Sequence, residues 1–192
     1  MVKGLIIGVD EVGRGCLAGP VLAAAVAMPS DTQYIFHDSK TLSESVRLHN
    51  YRLIKKHAFS VKIGYASPRE IDALNILRAT QLAMKRAIDK LSLNGSLVLV
   101  DGTHLPDVMD YKMRAIIKGD QKYTQISAAS IIAKVVRDYI MTRVSRIYPN
   151  YLFEKHKGYP TKEHLSALER YGVLPIHRKS FRPVRELCLM ED

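Results

Sequence analysis

Two short apolar runs, each closing on an aspartate, constrain this chain more than any other feature: LIIGVD at 5–10 and LVLVD at 97–101. Both are short, β-branched and apolar, so each reads as a buried strand whose carboxyl end carries an acid. VLAAAVAM (21–28) is strand-like after Pro20, and FSVKIGYAS (59–67) alternates as a further strand. Ser67, Pro68 and Glu70 then make a helix start, with a capping serine, a proline for the first turn and a glutamate three residues on. Ile71, Leu74, Leu77, Met84, Ile88 and Leu91 continue a helical stripe, and Asn94-Gly95 ends it before LVLVD. Asn75, polar within that stripe, reads as a buried hydrogen-bonding residue. The sheet predicted from these pieces has about five strands.

A second helix is predicted over 124–147, with Ile126, Ala129, Ile132, Ala133, Val136, Ile140 and Val144 inward and a small-residue SAAS turn that lets its backbone approach the sheet. A third opens at Thr161 and stops at Gly172, with Pro175 beyond. The division expected is a principal domain over 1–150 and a loosely attached helical lobe over 151–192. No apolar run approaches the roughly 18 residues of a membrane span, and the N-terminal run meets acid too soon for a secretory signal. Cys16 and Cys188 lack a metal-binding spacing and read as reduced, structural residues. A cytoplasmic monomer without membrane contact is expected.

The 29 Lys+Arg exceed the 19 Asp+Glu by ten, which suits a polyanionic partner such as nucleic acid. Residues 151–185 hold eight of those cations against three acids, so half of the excess falls in the last stretch. Such a tail would grip a duplex backbone, with salt-sensitive binding.

Asp10 and Glu11 stand side by side at the end of the first apolar run and are followed by Gly13-Arg14-Gly15. A phosphate loop fails here, because Arg14-Gly15 replaces the required lysine and hydroxyl residue. A dinucleotide site fails too, since Pro20 and the strand after it deny the helix that such a turn must open. Bunched carboxylates repel, and a divalent cation is the usual compensation; oxygen ligands favour magnesium or manganese. Asp101, ending the second run, can join if the two strands are neighbours, and Asp120 in KGDQK precedes the SAAS helix. On pattern alone, a metal site and a solvated acidic edge both stay open. Asp138 is set aside: on a continuous helix it would lie roughly 27 Å from Asp120, and ion pairing suits it better. His156, His164 and His177 read as surface or backbone-contacting groups rather than metal ligands.

DEVGRG (10–15), DSK (38–40), IDALNILRAT (71–80), LVDG (99–102), KGDQK (118–122), SAASIIAKVVRD (127–138) and HKGYPT (156–161) resemble, in order, the signature segments of the ribonuclease HII family. The resemblance implies a ribonuclease H-like α/β fold, a five-stranded mixed sheet flanked by helices, with a small C-terminal helical lobe. It implies a metal-dependent endonuclease, using Mg2+ or Mn2+, on RNA–DNA hybrids and on duplex DNA with single embedded ribonucleotides, cut on the 5′ side. Asp10, Glu11, Asp101 and Asp120 fall on the family's four acidic, metal-holding positions. Gly13, Arg14 and Gly15 match the turn that meets the ribonucleotide, Ser39 and Lys40 the phosphate-contacting segment, and Tyr159 the tyrosine packed on the sugar at the DNA side of the junction. His37 and Thr41 depart from the residues common beside DSK, which weakens the phosphate reading locally. The short lead into the first strand speaks against the related ribonuclease HIII, and the closing ELCLMED shows no obvious peptide for a replication clamp.

Overall fold

The computed structural model describes residues 4–36 and 42–189. Its centre is a sheet of five strands: β1 (Leu5–Val12), β2 (Val21–Pro29), β3 (Ser60–Ala66), β4 (Leu97–Asp101) and β5 (Lys112–Ile116). They lie in the order β3-β2-β1-β4-β5, antiparallel among the first three and parallel across β1, β4 and β5. The mixed sheet is the one expected.

Side chains alternate across each strand, so burial on both faces needs helices on both sides. Ile7, Val9, Val98 and Val100 face Ala79, Ala83, Met84, Ala87 and Ile88 of α3 (Ile76–Asp89). On the opposite face Leu22, Ala24, Val26 and Met28 meet Ala128, Ala129, Ile131 and Ile132 of α4 (Thr124–Ile147), with Ile54 of α1 (Glu44–His57) behind. Each fully buried isoleucine in these layers contributes about 1.5–3 kcal/mol of transfer free energy. Close approach of α4 depends on Gly8, where a Cβ would stand 2.0 Å from the Gln125 carbonyl carbon. Strand and helix are thereby locked at short range directly beneath Asp10.

The single helix expected after Ser67 is broken. Helix α2 (Pro68–Leu74) has the capping box read from Ser67 and Glu70, then stops at Asn75, which adopts φ 67°. Asn75 is exposed, not buried, and its Oδ1 accepts from the amides of Leu77 and Arg78 to start α3. Ile71, Met84, Ile88 and Leu91 of the apolar stripe reach the core, but Leu74 is exposed and Leu77 only half-buried, because an asparagine at positive φ re-aims the chain between them, which spacing does not reveal.

Helices α5 (Phe153–His156), α6 (Lys162–Tyr171) and α7 (Arg182–Cys188) make up the C-terminal part, and α6 runs between the Thr161 cap and Gly172 as read. It is not loosely attached. Tyr151, Phe153, Leu168 and Val184 share a core with Leu17, Ala18 and Met141, and Ala18 bridges to His177 as a short antiparallel pair. Arg178, fully buried, donates to the carbonyls of Gly13, Arg14 and Gly19.

His156, His164 and His177 contact backbone as expected, but they are buried rather than on the surface. The Leu174 amide donates to His177 Nδ1, so His177 carries its proton on Nε2 and gives it to His164 Nε2 at 3.1 Å. His164 Nδ1–H then donates to the Tyr159 carbonyl at 2.9 Å. The relay works only with both rings neutral, and burial, the largest cause, holds each down to about 4. Because the unfolded state takes up protons first, stability is complete above the unperturbed pKa near 6.5 and is lost as pH falls from there toward 4. We expect a loss of roughly 1 kcal/mol or more per histidine by pH 5. Denaturant midpoints at pH 7 and pH 5, in wild type and His177→Gln, test this; equal acid sensitivity in the two would contradict it.

Candidate active site

Val9 pairs with Val100 in the parallel β1–β4 ladder, so the next residues, Asp10 near the end of β1 and Asp101 at the end of β4, stand on neighbouring strands where that ladder stops. Both side chains take the face opposite the Val9–Val100 layer, toward α4. Asp10 is only 4% exposed. Its Oδ1 accepts the Glu11 amide at 2.7 Å and it takes a further hydrogen bond from Ser130 on α4. Burial first, then the charges of Glu11 and Asp101, push the Asp10 carboxyl well above the ordinary carboxylate range. Glu11 is also raised, by burial first and less by Asp101, with Arg14 opposing at 3.4 Å.

Asp101 Oδ1 accepts the Gly119 amide at 2.7 Å. That bond fixes the 3-10 turn Gly119–Gln121, entered through Lys118 in the left-handed region at φ 54°, and the turn carries Asp120, which is 5% exposed. Thus three acids sense one another electrostatically, and the fourth sits in the turn tied to one of them.

This donor set suits a hard divalent cation: the groups are all carboxylate oxygens, and burial first, with repulsion within the set adding to it, holds Asp10 and Glu11 above their usual pKa. Among the described residues no three His, Cys, Asp or Glu side chains already stand at the spacing of a finished metal cage. Binding would therefore draw the carboxylates inward from their present hydrogen bonds.

The glycine-arginine turn leaves β1 three residues after Asp10. Gly13 is buried with φ +90°, whereas Arg14 and Gly15 are exposed. Across from the turn, Gly158 accepts the Leu17 amide at 2.8 Å, and the next residue, Tyr159, is 37% exposed and hydrogen-bonds Cys16. Burial raises the Tyr159 hydroxyl, and its ring lies 5.9 Å from Lys134 Nζ and 5.9 Å from the Arg137 guanidinium carbon. Turn and tyrosine therefore form one wall. Ser39 and Lys40 lie outside the described residues. Asp138 pairs with Lys134 at 2.9 Å and with Arg47 at 3.8 Å, which is the ion-pairing role read for it.

A family model described as ribonuclease HII matches residues 7–184. The chain belongs to the ribonuclease HII family. With the family comes its class of activity, an endoribonuclease that degrades the RNA of RNA–DNA hybrids. The ribonuclease HII of Shewanella pealeana is 56% identical over 184 residues, covering 95% of this chain and 90% of that protein. The ribonuclease HII of Archaeoglobus fulgidus, solved as a complex with PCNA, superimposes with a TM-score of 0.77 at 26% identity, over 92% of this chain and 95% of that one. The Bst ribonuclease HIII in complex with Mn2+ shares the fold at TM-score 0.72 and 15% identity, over 98% of this chain and 70% of that one.

Ser130, Arg137 and Arg178 escaped the sequence reading. Ser130 is one of several small residues on α4 that equally serve close packing. The two arginines were indistinguishable from the surface cations around them.

Proposed function

We propose that this enzyme incises duplex DNA on the 5′ side of a single embedded ribonucleotide as well as cutting longer RNA–DNA hybrids, leaving 3′-hydroxyl and 5′-phosphate ends. The observation that carries the reading is the β1–β4 register, which sets Asp10, near the end of β1, beside Asp101, the last residue of β4, with the glycine-arginine turn starting three residues after Asp10.

In this proposal Asp10, Glu11, Asp101 and Asp120 hold Mg2+ or Mn2+. When bound, such ions would supply acidification of a water and neutralisation of charge at the departing 3′ oxygen. The protein's own part is positioning. Ser130 and the Glu11 amide orient Asp10, and the Gly119 amide orients Asp101. Gly13, Arg14 and Gly15 bring backbone to the 2′-hydroxyl, the group that distinguishes ribose from deoxyribose. Tyr159 packs on the sugar at the DNA side, and Ser39 with Lys40 contact phosphate.

The segment 151–192 is proposed as the substrate-gripping lobe, supported by its excess of cations. No helix among the described residues is long and apolar enough to cross a membrane, and both cysteines are free; a monomer working in the cytosol is the form we propose.

A labelled duplex with one ribonucleotide, incubated with magnesium or manganese, is expected to yield one cut on the 5′ side of that residue. An all-DNA duplex of the same sequence should remain intact. Cleavage confined to runs of several ribonucleotides would overturn single-ribonucleotide incision and leave an ordinary hybrid-degrading enzyme.

A further inference from the structure

Arg137 and Arg178 are both fully buried. Among the described residues neither has a carboxylate within ion-pair reach, although the Asp72 charge acts on Arg178 from farther off, and besides ring contacts to Tyr159 and Phe181 every hydrogen bond their guanidinium groups donate goes to a backbone carbonyl. Arg137 donates to Pro20, Lys157 and Ala18. Arg178 donates through Nε to Gly19 at 3.1 Å, through Nη1 to Arg14 at 2.8 Å and through Nη2 to Gly13 at 2.6 Å. Burying a cation without a counter-charge is costly, so two such arginines need a reason.

For Arg178 the reason lies in peptide geometry. No peptide bond among the described residues is cis, and in a trans unit the carbonyl and the following amide point in opposite directions. Turning the Gly13 and Arg14 carbonyls inward onto Arg178 turns the amides of Arg14 and Gly15 outward. Both residues are exposed, neither amide has a partner among the described residues, and in front of Gly15 a Cβ would meet nothing within 4 Å.

We infer that Arg178 is a positioning residue for substrate selection: it fixes the two peptide units whose outward amides meet the ribonucleotide. This rests on the proposed reading of the glycine-arginine turn. Only an arginine can do it, because its rigid fork reaches three carbonyls at once, whereas the ammonium of a lysine is a single point. Arg137 supports the same region from beneath but holds neither carbonyl.

The test measures kcat and KM for Arg178→Lys and Arg137→Lys on the single-ribonucleotide duplex, with thermal midpoints and affinity for the all-DNA duplex. Arg178→Lys is expected to lose roughly 10- to 100-fold in kcat, as for a misplaced contact, and to keep all-DNA affinity within about threefold. Arg137→Lys should lose thermal stability to a similar degree with a much smaller change in kcat. Wild-type kcat in a folded Arg178→Lys, or equal kcat losses in the two variants, would overturn the inference.

A measurement on the wild type covers the case in which Arg178→Lys does not fold. With Ca2+ in place of magnesium, the amide resonances of Arg14 and Gly15 should shift on adding the ribonucleotide duplex and not the all-DNA duplex. Amides unmoved by the ribonucleotide would overturn the inference even if cleavage is normal. If wild type does not distinguish the two duplexes in cleavage, it is the underlying reading of the turn that fails.

Discussion

Asp10→Asn is expected to abolish cleavage while making the protein harder to unfold. The carboxylate is buried, raised in pKa by burial and by Glu11 and Asp101, and placed where β1 meets β4. Asparagine fits the same space but removes a charge the fold disfavours, so unfolding should require roughly 0.5–2 kcal/mol more, as is common when a functional group is given up. On the proposed assignment it also removes a hard anionic ligand. Losing about 4 kcal/mol of charge stabilisation in the transition state corresponds to at least ~10³-fold in rate. Binding of the duplex, which depends on the basic surface, should remain largely intact. Initial rates with magnesium, a melting curve and a binding titration together check it. Normal cleavage, or lost cleavage with lowered stability, would contradict the assignment, the second because it marks Asp10 as a structural residue.

The two glycines of the turn should respond in opposite ways. At Gly13, with φ +90°, an added Cβ would stand 2.2 Å from Arg137 Nε, and that arginine is itself held by three carbonyls. Gly13→Ala is therefore expected to cost roughly 2–4 kcal/mol of stability, combining overpacking with a strained backbone. At Gly15 nothing in the fold asks for glycine: its φ lies outside the positive range and the space before it is open. Gly15→Ala should leave stability within about 0.5 kcal/mol, or slightly raise it. Yet if the open space receives the ribose, the methyl group should lower junction cleavage about 10²-fold by displacing the sugar. Thermal melting and junction kinetics of both variants separate fold from recognition. Full activity in Gly15→Ala would remove the turn from the substrate site.

What could be read from the chain follows physical cost. Strands β1 and β4 were visible because doubly covered stretches must be apolar, and the acids following their apolar runs stood out because bunched carboxylates need compensation. Helix α6 was bounded by Thr161 and Gly172, residues whose conformations terminate helices. Helix α1 passed unnoticed because Ile54 is its one buried residue, which leaves almost no periodic stripe. Strand β5, KMRAI, pairs on one side only and is largely exposed, so its composition resembles a loop. The buried arginines were invisible for another reason. Arg178 meets Gly13 across 165 residues, and nothing local in HRKSF marks one cation as the inward one. The four acids could be singled out as candidates while the partners Ser130 and Gly119 could not, since charge is written in a residue's type and its orientation is set only by tertiary packing.

The central claim is that acids far apart in the chain act together on divalent ions beside the glycine-arginine turn. Crystals grown with manganese test it most directly, through the anomalous signal of the metal. The expected result is a peak bounded by the carboxylates of Asp10, Glu11 and Asp101, with Asp120 closing the site and the Asp101 side chain drawn toward the ion. Manganese bound elsewhere, with those carboxylates keeping their present protein partners, would contradict it.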